Sequence, residues 1–180
     1  MSLVLLASGI GSLAQALIDA GFDISAVITD VPNAQLIDRA VAAGINTAVV
    51  PFEKPREVWD EKLIKKVESF KPDLVVSVGF MKILSSDFVK KFKVINSHPA
   101  LLPNFPGAHA VRDALAAGAT ETGCTIHWVD AGVDTGPIIS QVTVPIEKSD
   151  DESTLHERIK IVERKLIVET VKKLIEGSGQ

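Results

Sequence analysis

"LVLLASGIGS", residues 3–12, joins a short apolar run to a glycine-interrupted turn. Leu3 to Ala7 leave no polar face, the pattern of a strand covered on both sides. Gly9 to Ser12 break the run, and a helical period follows through about Ala20. A buried strand passing through glycines into a helix is the opening unit of an α/β domain. The chain then repeats it. "ISAVIT" (24–29) predicts a second strand, with a helix over 34–43 stopped by Gly44. "TAVV" (47–50) ends at Pro51, and a charged helix over 55–70 turns Trp59, Leu63, Val67 and Phe70 inward. "LVVSVG" (74–79) and "KVINS" (93–97) are further strands around a short helix near 85–91.

The later strands differ. "CTIHWV" (124–129) and "IISQVTVPI" (138–146) are joined by "DAGVDTGP" with no helix between, which predicts an antiparallel extension at one edge. An amphipathic helix over 152–175 carries Leu155, Ile159, Val162, Leu166 and Leu174 on one stripe, capped by Asp151 or Ser153. The expected fold class is α/β: an open, mostly parallel twisted sheet with helices on both faces and antiparallel strands at the C-terminal edge. A single domain over 1–176 and a frayed tail over 177–180 are expected.

At 180 residues, 46% of them hydrophobic, the chain buries a sizeable core and reads as globular. The net charge of −4 offers no general attraction to nucleic acid or to an anionic membrane, so any bound anion is held locally. The single cysteine, Cys124, excludes an internal disulfide and a cysteine-based metal cluster. The N-terminal apolar run lacks a positive flank and is cut by glycines, unlike a secretory signal, and no run reaches the length of a membrane span. A cytoplasmic location is expected.

Five features are expected at carboxyl ends of strands, where open α/β sheets bind ligands. These are Gly9–Ser12, Asp30, "GFMKIL" (79–84), "NSHPALLPNFPG" (96–107) and the 130–137 turn. The glycine turn aims backbone N–H groups at an anion at a helix start, or simply makes a tight strand–helix turn. Gly9, Gly11 and Ala14 also fit a dinucleotide fingerprint, with Asp30 near the distance for a ribose hydroxyl. Asn96 and His98 lie two apart at a strand end, so both side chains point to one side. They supply an amide donor and a proton near neutrality, which an acyl-transfer oxyanion needs. Pro99, Pro103 and Pro106 stiffen the loop that follows.

A carboxylate from the 130–137 turn near His98 would raise the imidazole pKa. Spacing alone does not separate Asp130 from Asp134, since both also suit an ordinary turn. His127 either reaches the site or is a satisfied core group, and His109 and His156 flank helix starts. No His/Asp/Glu set has the usual ligand spacing, so no metal is expected.

"ASGIGS", "GFMKILS", "NSHPALLPNFPGAHA", "GCTIHWVDAGVDTGPI" and "LHERIKIVERKLI", in that order from about residue 3 to 174, resemble the glycinamide ribonucleotide formyltransferases. This is a folate-dependent formyltransferase family with a Rossmann-like fold. The resemblance implies transfer of a formyl group from 10-formyltetrahydrofolate to the amine of 5-phosphoribosylglycinamide in purine biosynthesis. It implies catalytic roles for Asn96, His98 and Asp134, with His98 as the acid. It implies substrate and phosphate binding by Gly11, Ser12, Leu13, Lys160 and Glu163. Folate contacts would come from Arg56, Met81, Lys82, Ile83, Leu84 and Asn96, with Asp130, Ala131, Gly132 and Val133 covering the pterin. The partners implied are these two small molecules, with no nucleic acid, membrane or metal, and a homodimer is an allowed assembly.

The chain departs from the family pattern at Ile10 and Leu13, where Asn is common, at Arg164 in place of His, and at Lys82 in place of Arg. It also ends earlier, before a final strand or tail. A formyl-folate hydrolase and methionyl-tRNA formyltransferase share the motifs. The first usually carries an extra domain ahead of strand one, and the second a basic C-terminal domain. A non-catalytic dinucleotide-binding module is the alternative from another class, and it leaves Asn96, His98 and Asp134 without a use.

Overall fold

The computed structural model describes residues 1–177, so the tail expected at 177–180 lies, from residue 178 on, outside the described residues. The chain forms two compact units that divide between Ile95 and Asn96. In the first, strands and helices alternate: β1 (Leu3–Leu6), α1 (Ser12–Asp19), β2 (Ile24–Thr29), α2 (Gln35–Ala42), β3 (Asn46–Val49), α3 (Arg56–Glu68), β4 (Leu74–Ser77), α4 (Ser86–Lys91) and the start of β5 (Val94–His98). β1 pairs parallel with β2 and with β4, and β2 pairs parallel with β3. The strand order is β3-β2-β1-β4-β5 in this unit.

β1 sits in the middle and is buried along its whole length, which explains its unbroken apolar run. Leu17 of α1, Leu36 of α2 and Trp59 and Leu63 of α3 are fully buried in this core. The Trp59 indole N–H donates to the Val50 carbonyl at 2.9 Å, so its polar edge is satisfied. α3 ends at Glu68, leaving Phe70 beyond the helix and half-buried rather than on its inner face. Ser85 caps α4 by accepting from the Phe88 N–H at 3.3 Å. Ser85→Ala should cost about 1 kcal/mol, read as a lower denaturation midpoint with an unchanged m-value.

The second unit holds the end of β5, α5 (Ala110–Ala116), β6 (Glu121–Trp128), β7 (Ile138–Pro145) and α6 (Glu152–Gly177), with strand order β5-β6-β7. β6 and β7 pair antiparallel from Glu121↔Pro145 to His127↔Ile138, as expected for two strands joined without a helix. β6 begins three residues earlier than the expected strand at 124, because Glu121 to Gly123 also find partners on β7. α6 packs against β6, β7 and α5. Asp151 caps it, accepting from the Thr154 N–H at 2.8 Å, while Thr154 Oγ1 accepts from the Asp151 N–H at 3.0 Å. Its buried face holds Leu155, Ile159, Leu166, Ile167 and Val171, but also Glu163 and Thr170. Among the described residues no helix is long and apolar enough to cross a membrane. The fold is the mostly parallel α/β arrangement expected, with its antiparallel pair at the C-terminal edge.

Candidate active site

β5 ends on Asn96, Ser97 and His98, and strand alternation sends the first and third to one side and Ser97 to the other. The His98 Nε2–H donates to the Phe105 carbonyl at 2.8 Å, an assignment forced because a carbonyl only accepts. Its other nitrogen, Nδ1, faces Asp134 Oδ2 at 3.4 Å. The same Asp134 oxygen accepts the Gly107 N–H at 2.8 Å. The proline-rich loop after β5 therefore delivers one backbone group to the imidazole and another to the carboxylate. Phe105 adopts φ 54° and Gly107 φ 90°. A positive φ is costly for a bulky residue such as Phe, and local strain of this kind collects at functional sites.

His127 completes the cluster from β6. Its Nδ1–H donates to the Trp128 carbonyl at 2.9 Å, leaving Nε2 3.3 Å from Asn96 Nδ2 and 3.5 Å from Asp134 Oδ1. Each oxygen of Asp134 thus faces one imidazole. Thr125, two residues back on β6, anchors the loop by donating to the Ala100 carbonyl at 2.6 Å and accepting the Leu102 N–H at 3.1 Å.

Asp134 sits at φ 54° in the turn between β6 and β7. Asp130 in the same turn accepts from Gly132 N–H at 3.0 Å and from the Thr135 hydroxyl at 2.7 Å. Asp130 is the turn-forming carboxylate and Asp134 the one aimed at His98, a choice that spacing left open.

Burial pushes the His98 imidazole below its ordinary value, and it outweighs the opposing pull of Asp134 and the Phe105 carbonyl. This corrects the expectation of a raised pKa: the carboxylate acts upward as anticipated, but desolvation is the larger effect. Burial alone would raise Asp134. Contacts with His127, the Gly107 N–H and His98 reverse this and hold it below the usual carboxylate range.

On the far side of β5, the Ser97 hydroxyl donates to Glu163 of α6 at 2.7 Å. Burial pushes the Glu163 carboxyl up to about 7. Lys160, one turn earlier, is only partly buried and donates to Glu157 at 2.8 Å.

In the first unit, Gly11 at φ 79° precedes α1, and a Cβ there would lie 2.5 Å from Leu36 Cδ1, so both conformation and space demand glycine. Ser12 and Leu13 open the helix, where backbone N–H groups lack intrahelical partners. Asp30 is buried, accepts from Ser8 Oγ at 2.5 Å and pairs with Lys82 Nζ at 3.4 Å. Such a committed carboxylate is not offered to a ribose, which weighs against the dinucleotide alternative. Met81 and Ile83 are exposed, Leu84 is buried, and Arg56 donates to the Ile83 carbonyl while pairing with Asp60 at 3.1 Å.

The sequence pattern of the formyl transferase family matches residues 1–171. The chain belongs to the formyl transferase family. A phosphoribosylglycinamide formyltransferase of Mycobacterium tuberculosis is 46% identical over 177 residues, covering 94% of this chain and 82% of that protein. A crystal structure of glycinamide ribonucleotide transformylase 1 from Symbiobacterium toebii superposes with TM-score 0.94 at 33% identity, covering 98% of this chain and 88% of that one. The phosphoribosylglycinamide formyltransferase of Streptococcus pneumoniae TIGR4 gives TM-score 0.92 at 35% identity, covering 97% and 98%.

Within the second unit of this formyltransferase, Asn96, His98 and Asp134 come together, with His127 linking the outer two. Lys160 and Glu163 share a helix but not an environment, one half-exposed and one buried. Asp130, Ala131, Gly132 and Val133 form the exposed part of the turn. Gly11 to Leu13, Arg56 and Met81 to Leu84 belong to the first unit. Sequence reasoning did not reach Ser97, Phe105 or Gly107. A serine, and two backbone groups in a loop, carry no residue-type signal of a site.

Proposed function

We propose that this formyltransferase moves the formyl group of 10-formyltetrahydrofolate to the amine of 5-phosphoribosylglycinamide, a step of purine biosynthesis, with His98 carrying the proton. The observation that best supports the reading is the meeting of a carboxamide, an imidazole and a carboxylate at the end of β5. The names of the relatives support phosphoribosylglycinamide as the formyl acceptor.

The reaction forms a bond from the amine nitrogen to the formyl carbon and breaks that carbon's bond to the folate nitrogen. One proton passes from the amine to the departing nitrogen. Asn96 donates an N–H to the formyl oxygen as negative charge gathers there, a contribution on the order of 3 kcal/mol for one such donor. His98, held neutral near pH 7 by its burial, takes the amine proton. The imidazolium then stands 3.4 Å from the Asp134 carboxylate, which stabilises it until the proton is returned. In this reading the acid role that the resemblance implies for His98 falls to the imidazolium so formed, which passes the proton to the departing folate nitrogen.

Backbone N–H groups of Gly11, Ser12 and Leu13 would hold the acceptor's phosphate at the start of α1, an arrangement that survives Asn-to-Ile and Asn-to-Leu departures because it needs no side chain. Lys160 and Glu163 would contact the rest of the acceptor. The folate would meet Arg56, Met81 to Leu84, and the 130–133 turn. Exposed apolar Met81 and Ile83 beside the cations Arg56 and Lys82 suit a flat ring system with an anionic tail.

The test follows the absorbance change as 10-formyltetrahydrofolate loses its formyl group, with and without the glycinamide acceptor. Turnover should require the acceptor. Equal turnover without it would assign a hydrolase, and no turnover beside tight NADH binding would assign a dinucleotide module.

A further inference from the structure

Ser97 lies between the two residues of β5 that face His127 and Asp134, yet its side chain points to the opposite face. There its hydroxyl meets Glu163, 66 residues away, at 2.7 Å. Ser97 is 7% exposed and Glu163 3%, so both meet little bulk water. A buried carboxylate is stable only with donors or positive charge around it.

The surroundings offer little of either. From β5 comes the Ser97 hydroxyl. From β6 comes the Cys124 thiol, itself pushed up to about 12 by burial and by Glu163, and so uncharged. β7 (Ile138–Pro145) carries no titratable residue, and α5 buries Ala110, Val111 and Ala114. On α6 itself, Lys160 and Arg164 act through space, while the Lys160 ammonium is engaged by Glu157. With burial pushing the carboxyl up to about 7, both protonation states are populated near neutrality. One hydrogen bond donor then has leverage over which state prevails.

We propose that Ser97 is a positioning residue for the acceptor substrate: its hydroxyl aims the Glu163 carboxylate and keeps it charged for the acceptor's hydrogen-bond donors, from the same strand that presents Asn96 and His98. This rests on the reading above that Glu163 touches the acceptor. An O–H donated to a carboxylate favours the ionised form. Removing it raises the carboxyl further, so fewer molecules are ionised at pH 7, and raising the pH restores them.

The experiment is steady-state kinetics on the full chain for Ser97→Ala, Ser97→Thr and Glu163→Gln, varying each substrate in turn between about pH 6.5 and pH 9. Ser97→Ala should raise the acceptor KM about tenfold near pH 7, with the gap closing by about pH 9. The KM of the formyl donor should not move. Ser97→Thr, which keeps the hydroxyl, should restore the acceptor KM, and Glu163→Gln should raise it at every pH. An unchanged acceptor KM in Ser97→Ala, beside a raised one in Glu163→Gln, overturns the role of Ser97 and leaves the acceptor at Glu163. A normal acceptor KM in Glu163→Gln removes the acceptor from Glu163 and overturns the inference through its premise. If Ser97→Ala does not fold, Ser97→Cys carries the same test, its weaker S–H donor giving the same pH-dependent rise in smaller measure.

Discussion

His98→Ala lowers kcat about a thousandfold, equivalent to roughly 4 kcal/mol of transition-state stabilisation, while the KM of either substrate stays close to normal. The expectation follows from what the imidazole touches. Both nitrogens face protein groups, the Phe105 carbonyl at 2.8 Å and Asp134 at 3.4 Å, so a methyl in its place loses the proton carrier and leaves Asp134 with only its other contacts. His98 is 4% exposed, and water does not readily take its place. The pH profile gives a second reading. Burial depresses the His98 pKa, so the neutral, proton-accepting form is already present at pH 7 and is lost only as pH falls through that lowered value. The acid limb of kcat/KM should therefore lie below the ordinary imidazole value in the natural chain and flatten in the variant. Circular dichroism separates lost chemistry from lost fold. A variant that folds and turns over at a near-natural rate would remove His98 from the mechanism.

Gly136→Ala lowers kcat about a hundredfold without replacing any side chain assigned to catalysis or substrate binding. The turn from β6 to β7 doubles back so tightly that a Cβ at Gly136 would lie 1.8 Å from the Trp128 carbonyl oxygen and 3.3 Å from the Asp130 nitrogen. Both obstacles are backbone, and the Trp128 N–H is already held by the Pro137 carbonyl at 2.9 Å. The methyl can be admitted only by opening the turn, and Asp134 rides on that turn two residues away. A shift of about 1 Å in a positioned group is enough for a hundredfold loss. The same overpacking should cost about 1–3 kcal/mol of stability. Kinetics and a denaturation curve measured on one preparation check both. A folded Gly136→Ala enzyme with normal kcat would mean that the turn geometry does not set Asp134.

The fold was largely legible because its signals are local. An apolar run without polar alternation marks a strand covered on both faces, and β1 is that strand. Two strands joined by a turn without a helix can only pair antiparallel, and β6 and β7 do. The limits appear at Phe70 and Glu163. One follows a helical period beyond the point where α3 stops, and the other sits on the buried face of α6 although charged residues ordinarily turn outward.

The site was legible where residue type and spacing carry the chemistry, as for Asn96 and His98 on one side of β5. It was illegible where two residues of one type compete. Asp130 and Asp134 share a turn, and only the folded chain directs the first to Thr135 and the second to His98. The net sign of the His98 shift was illegible for a related reason. A neighbouring carboxylate and burial act in opposite directions, and the larger of them depends on how much water the packed structure excludes.

Residue order by itself determined the alternation of strands and helices and the pairing of a carboxamide with an imidazole two positions on, since both rest on periodicities that every L-polypeptide obeys. Only the tertiary structure decided which carboxylate faces that imidazole, which backbone groups hold the pair, and that a serine on the reverse side of the strand grips Glu163. Those contacts join segments remote along the chain, and the packing that brings them together also sets the dielectric in which they ionise.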